Sequence, residues 1–180
     1  MGKGANFSSP LRVDGVTVVD ESGNIIGPIS ATAGSIGSTE LADNTIKTAT
    51  VTLTAAEIVG TAAGDIGHAG GAVLVAAPGA GKILEFVSAV LSYDYATAAY
   101  TGGNNDLVIR QGTTAVSAAI ADADLIGDTA DDIAYVNALS AADIKLTANS
   151  TINLAGTAYT NPGTAAGTLK VHVMYRVHSA

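Results

Sequence analysis

The sequence predicts an all-β protein: a jelly-roll-like β-sandwich preceded by an extended N-terminal arm with a small hairpin. Three observations predict it. Short β-branched runs recur from Thr45 onward. Turn residues separate them: Pro78-Gly79, Gly102-Gly103-Asn104-Asn105 and Asn161-Pro162-Gly163. The closing stretch "GTLKVHVMYRVH" alternates, with Val171, Val173, Tyr175 and Val177 on one face and His172, Met174, Arg176 and His178 on the other. Many short strands with Gly/Pro-rich turns and little helix pattern point to a sandwich or jelly roll.

In chain order, residues 1–44 read as arm and linker and residues 45–180 as the sandwich. "MGKGANFSSPLRVDG" has no sustained periodicity. "VTVVDESGNIIGPI" reads as a small hairpin, Val16–Val19 opposite Ile25-Ile26 around a polar turn. Residues 30–44 are Gly/Ser/Ala/Thr-rich and read as a linker. The segment lacks the large apolar groups to fold alone. It is either a disordered tail or an arm that orders against a partner. "TIKTATVTLT" alternates as a strand, and Thr54-Ala55-Ala56-Glu57 has capping-box spacing for one short helical turn. "GAVLVAA" is a short apolar strand. "KILEFVSAVLSYDY" is apolar on both faces, as a central strand would be. "DLVIRQG" places Leu107 and Ile109 on one face. "ADIKLTANSTINLAG" reads as two runs, Ile144/Leu146 and Ile152/Leu154, about a turn at Ala148-Asn149-Ser150.

The composition narrows function. The chain has 180 residues, 4 % aromatics, no Trp and no Cys. Disulfides and thiolate metal sites are therefore excluded. Small side chains bury little apolar area at roughly 25 cal/mol per Å², so association with other chains is the expected source of further stability. Lys and Arg number 8 against 16 Asp and Glu, a net charge of −8. That balance speaks against nucleic acid and anionic membranes as partners, since binding phosphates needs clustered bases. No signal peptide or membrane-length apolar run is evident.

"AAPGAGKILEF" resembles a phosphate-binding loop only superficially. G-x-x-x-x-G-K-[S/T] needs Gly at position 76 and a hydroxyl at 83, where Ala76 and Ile83 stand. A turn between two strands is the expected structure. "DADLIGDTADD" supplies Asp122, Asp124 and Asp128 as weak metal-ligand candidates, but Ile126 and Ile133 occupy two ligand positions of an EF-hand frame. The stretch is a solvated acidic loop or a non-EF calcium site, and no resident metal is assigned. His172 and His178 lie about 20 Å apart in an extended chain, too far to share one ion. They and His68 are lone side chains, or members of a ring on a symmetry axis. No nucleophile elbow or Cys nucleophile occurs, and no catalytic residue or cofactor is assigned. Tyr93, Tyr95 and Tyr100 would either stack on a glycan or fill a core or subunit interface.

"TIKTATVTLTAAEIVGT", "VLVAAPGAGKILEFVSAVLSYDYATAAYT", "NNDLVIRQG" and "GTLKVHVMYRVH", together spanning residues 45–178, resemble tailed-phage virion proteins, the head-fibre and capsid-decoration (cement) group. The resemblance implies a jelly-roll-like domain, a homotrimer and display on the outer capsid surface. It implies that the N-terminal segment attaches to the major capsid protein, with Phe7, Leu11, Val13, Val16, Val18, Ile25 and Ile26 as the apolar groups to bury there. It implies no enzyme. The alternative is a tail-fibre or receptor-binding module contacting host glycans through Tyr93, Tyr95, Tyr100 and the acidic loop.

Overall fold

The computed structural model describes residues 11–13, 16–19, 43–102, 106–140, 144–157, 159–160 and 167–180. The chain divides into two units, residues 1–40 and 41–180. In the first, β1 (Leu11–Val13) and β2 (Val16–Val19) pair antiparallel, with a register shift between Leu11 and Arg12. The two intervening residues are Asp14 and Gly15, a pair favoured in two-residue hairpin turns. The described partner of Val16–Val19 is thus Leu11–Val13, which the sequence reading left in the unpaired arm. Ile25-Ile26 and Phe7 lie outside the described residues.

The second unit is a sandwich of two four-stranded antiparallel sheets, as the composition and turn spacing predict. One sheet runs β3-β10-β5-β8: β3 (Lys47–Leu53), β10 (Thr168–Ser179), β5 (Lys82–Asp94) and β8 (Asp132–Asn137). The other runs β4-β9-β6-β7: β4 (Ala72–Val75), β9 (Ile152–Ala155), β6 (Val108–Gln111) and β7 (Thr114–Ala115). Every link between consecutive strands from β3 to β10 crosses between sheets, except the tight β6–β7 hairpin. One apolar core fills the space between them, including Leu53, Leu74, Leu84, Phe86, Ile109, Leu154 and Val173.

β10 is the central strand with the cleanest pattern. Leu169, Val171, Val173, Tyr175 and Val177 are buried and the intervening residues face out, the two-residue period of a half-buried strand. β5 departs from the sequence reading. It is not apolar on both faces but bulged: its register against β10 shifts between Met174 and Tyr175. Leu84 and Phe86 point inward before the bulge, and Ala89, Leu91 and Tyr93 after it. An extra residue in one strand flips the parity of everything that follows, so one inward face looks like two in the sequence.

Residues 144–147 form no strand; Ile144 and Leu146 pack partly buried against the core. Between β3 and β4 lies α1 (Ala55–Val59), a single turn with the capping box that the spacing predicts. The Thr54 hydroxyl accepts from Glu57 N–H at 3.4 Å, and the Glu57 carboxylate accepts from Thr54 N–H at 2.8 Å. These bonds satisfy helix-start donors that otherwise lack partners, and Ile58 anchors the turn in the core.

Candidate interaction surfaces

The Pro78–Lys82 stretch is a turn followed by a strand, as expected. Gly79 and Gly81 have φ of +100° and +71°, where L side chains are strained. Lys82 N–H closes the turn on Gly79 C=O. The neighbouring turn clasps it: Gly79 N–H donates to Asn149 Oδ1 at 3.0 Å, and Asn149 N–H to Lys82 C=O at 2.8 Å. Two of the loop amides, those of Gly79 and Lys82, are thus engaged within the protein.

The tyrosines converge at one end of the sandwich. Tyr93 and Tyr100 are 1 % and 3 % exposed, with ring centroids 6.1 Å apart, and Tyr95 lies edge-on to Tyr93 at 6.4 Å. The Tyr100 hydroxyl donates to Gly167 C=O at 2.6 Å. Burial pushes the Tyr100 phenol up to about 12, with Tyr93 adding to it, and burial also raises Tyr93. Tyr159 is buried and raised as well, first by burial and then by the carboxylates of Asp122 and Asp106. Rings this deeply buried offer no face to a sugar; of the three tyrosines singled out from the sequence, only Tyr95 is half-exposed.

The acidic stretch opens with a 3-10 turn, Asp122–Asp124. Leu125 and Ile126 are fully buried and pin it down, and Ile126 C=O accepts from Tyr100 N–H. The Asp122 and Asp128 carboxylates accept from the N–H of the residue that follows each, and Asp124 is exposed. Among the described residues no group of three or more His, Asp and Glu is placed to hold a metal ion.

The outward face of the β3-β10-β5-β8 sheet carries two of the three histidines. His172 Nδ1 lies 3.0 Å from the Thr50 hydroxyl. His178 Nε2 lies 2.7 Å from Glu85 Oε2, which also takes Arg176 at 3.4 Å. Exposed pairs of this kind contribute little stability, about 0–1 kcal/mol. His68 stands apart and accepts from Gly70 N–H through Nδ1.

The feature that sequence reasoning missed is β8. Ile133 and Tyr135 are 68 % and 63 % exposed, the largest values among the exposed large apolar residues, and Leu139 just beyond is 37 % exposed. β8 is an edge strand. A groove of about 380 Å³ runs beside it, lined by residues 118–120 and 134–140. The period-2 signal "DIAYVN" marks a strand, but it does not reveal that the larger side chains face out.

No protein-family model matches the chain, and no curated protein matches it. Among solved structures, a chain described as "Cyanophage Pam1 capsid asymmetric unit" is similar over 83 % of this chain and 93 % of that one, at 19 % identity and a TM-score of 0.38. That likeness is too distant to carry an argument about family or function.

Proposed function

We propose that the protein is a structural component of a tailed-phage virion: a homotrimeric head-fibre or capsid-decoration protein. Its N-terminal segment, residues 1–44, attaches to the major capsid protein and its sandwich faces outward. The observation that carries this reading is the strand order. In an eight-strand count from β3 to β10, one sheet is 1-8-3-6 and the other 2-7-4-5, the double Greek-key wiring of a jelly roll. That wiring accompanies the sequence resemblance to head-fibre and decoration proteins over residues 45–178.

Two physical features support it. A chain of net charge −8 resists aggregation when displayed at high local density. The sandwich, with β10 paired on both sides and one apolar core between its sheets, gives a folded body to display. Attachment would bury Phe7, Leu11, Val13, Val16, Val18, Ile25 and Ile26 against the shell.

The test uses capsids of the encoding virus assembled without this protein. Full-length chain added to them should co-sediment at a fixed copy number per shell, and a chain with Leu11, Val13, Val16 and Val18 all changed to Ser should stay in the supernatant. Equal binding of both would overturn attachment through the N-terminal segment. No binding by the full-length chain would overturn the decoration role.

A further inference from the structure

We infer that the outer face and free edge of β8 form the surface through which copies of this chain associate. The inference rests on the homo-oligomer reading above and assigns it a place.

The backbone comes first. Ala138 N–H donates to Val87 C=O, and Leu139 N–H turns the other way, to Val116 C=O. Antiparallel pairing alternates, so Asp132, Ala134 and Val136 direct their main-chain groups to β5. Ile133, Tyr135 and Asn137 direct theirs to the open edge. Ile133 N–H is capped by the Asp132 carboxylate at 2.7 Å; beyond the strand, an antiparallel bridge between Ser117 and Ala138 covers the 137–139 end of the edge, so the open stretch is the one around Ile133 and Tyr135.

The side chains add shape. Tyr135 stands out as a knob, and the groove beside it is floored by Ala118, Ala119, Ala134 and Ala138. A projecting ring next to an alanine-lined hollow suits a head-to-tail contact: each copy's knob enters the hollow of the next, and such contacts close into a ring of three when the rotation is three-fold. Charge points to the same occupant. Residues 115–121 and 133–140 contain no charged side chain, on a chain of net −8. Like-charged copies meet most favourably where neither presents charge, and interface centres are depleted in charged residues. The opposite edge of the same sheet differs: β3 turns Thr48, Thr50 and Thr52 outward, all exposed, as a solvated edge would.

The experiment is solution mass by light scattering on the full chain, with circular dichroism as a check on folding. Wild type should run at three chain masses. Ile133→Lys with Tyr135→Lys should run at one chain mass with an unchanged spectrum, and Thr50→Lys should stay at three. A wild-type oligomer that survives both lysines overturns the β8 assignment and leaves the homotrimer reading standing. A wild-type monomer overturns both. Because the chain has no cysteine, a second readout is clean: Leu139→Cys should react with a thiol reagent at least 10-fold more slowly than Thr52→Cys. Equal rates overturn the assignment. Protection that arises only when capsid shells are added overturns it too, and gives the surface to a different partner.

Discussion

The Gln111 side chain stands in for a missing strand opposite Thr147: its Nε2 donates to Thr147 C=O at 2.5 Å, and its Oε1 accepts from Thr147 N–H at 2.9 Å. Gln111 is fully buried. One amide thus replaces a rung of a β-ladder and holds the 144–147 segment against the sandwich. Gln111→Leu keeps the volume and removes both bonds. It should lower unfolding free energy by about 1–3 kcal/mol, read from urea denaturation, because two backbone groups lose their partner.

The capping box predicts a small, acid-sensitive contribution. Bonds from the Thr54 backbone and hydroxyl hold the Glu57 carboxyl below its ordinary 4.5. A depressed carboxyl contributes stability above its unfolded value, and loses it as pH falls through the folded one. Thr54→Ala should cost about 1 kcal/mol at pH 7. The melting-temperature gap between wild type and Glu57→Gln should narrow as pH falls below 4.5.

The buried phenols predict the opposite flank. Tyr100 titrates near 12, so its neutral form favours the fold. That contribution is complete below the ordinary tyrosine value near 10 and is lost as pH rises from there towards 12. Absorbance titration of folded protein should show a late-ionising tyrosine class that shrinks in Tyr100→Phe. The same variant should lose about 1 kcal/mol at neutral pH with the Gly167 bond.

Two glycines separate backbone strain from crowding. Gly71 has φ +69°, and a Cβ there would lie 2.5 Å from Leu154 C=O; Gly79 has φ +100° with open space around it. Gly71→Ala should cost about 2–3 kcal/mol and Gly79→Ala about 1 kcal/mol, compared by thermal unfolding.

Local patterns carried much of this fold. The alternation of Val171, Val173, Tyr175 and Val177, the Thr54–Glu57 spacing and the Pro78-Gly79 turn each needed only neighbouring residues to read. What depended on partners was not legible. The β5 bulge is a matter of register against β10, so Leu84/Phe86 and Ala89/Leu91 looked like two faces. Gln111 and Asn153 are buried polar residues on strands, and the partner of Gln111, Thr147, lies 36 residues away in sequence. Tyr93 and Tyr100 suit a core or interface by type, but a glycan-stacking surface stays open in the sequence; their burial depends on distant chain, with the backbones of Ile126 and Gly167 bonding Tyr100. Ile133 and Tyr135 would pass as core residues by type, yet their parity on β8 turns them outward.

The most direct test of the proposed role is gold-labelled antibody against the chain, applied to intact particles of the virus that encodes it and viewed by electron microscopy. Label distributed over the heads, at many sites per particle, is the predicted result. Particles that carry no label, and from which the chain is also missing by mass spectrometry, would contradict a structural place in the virion.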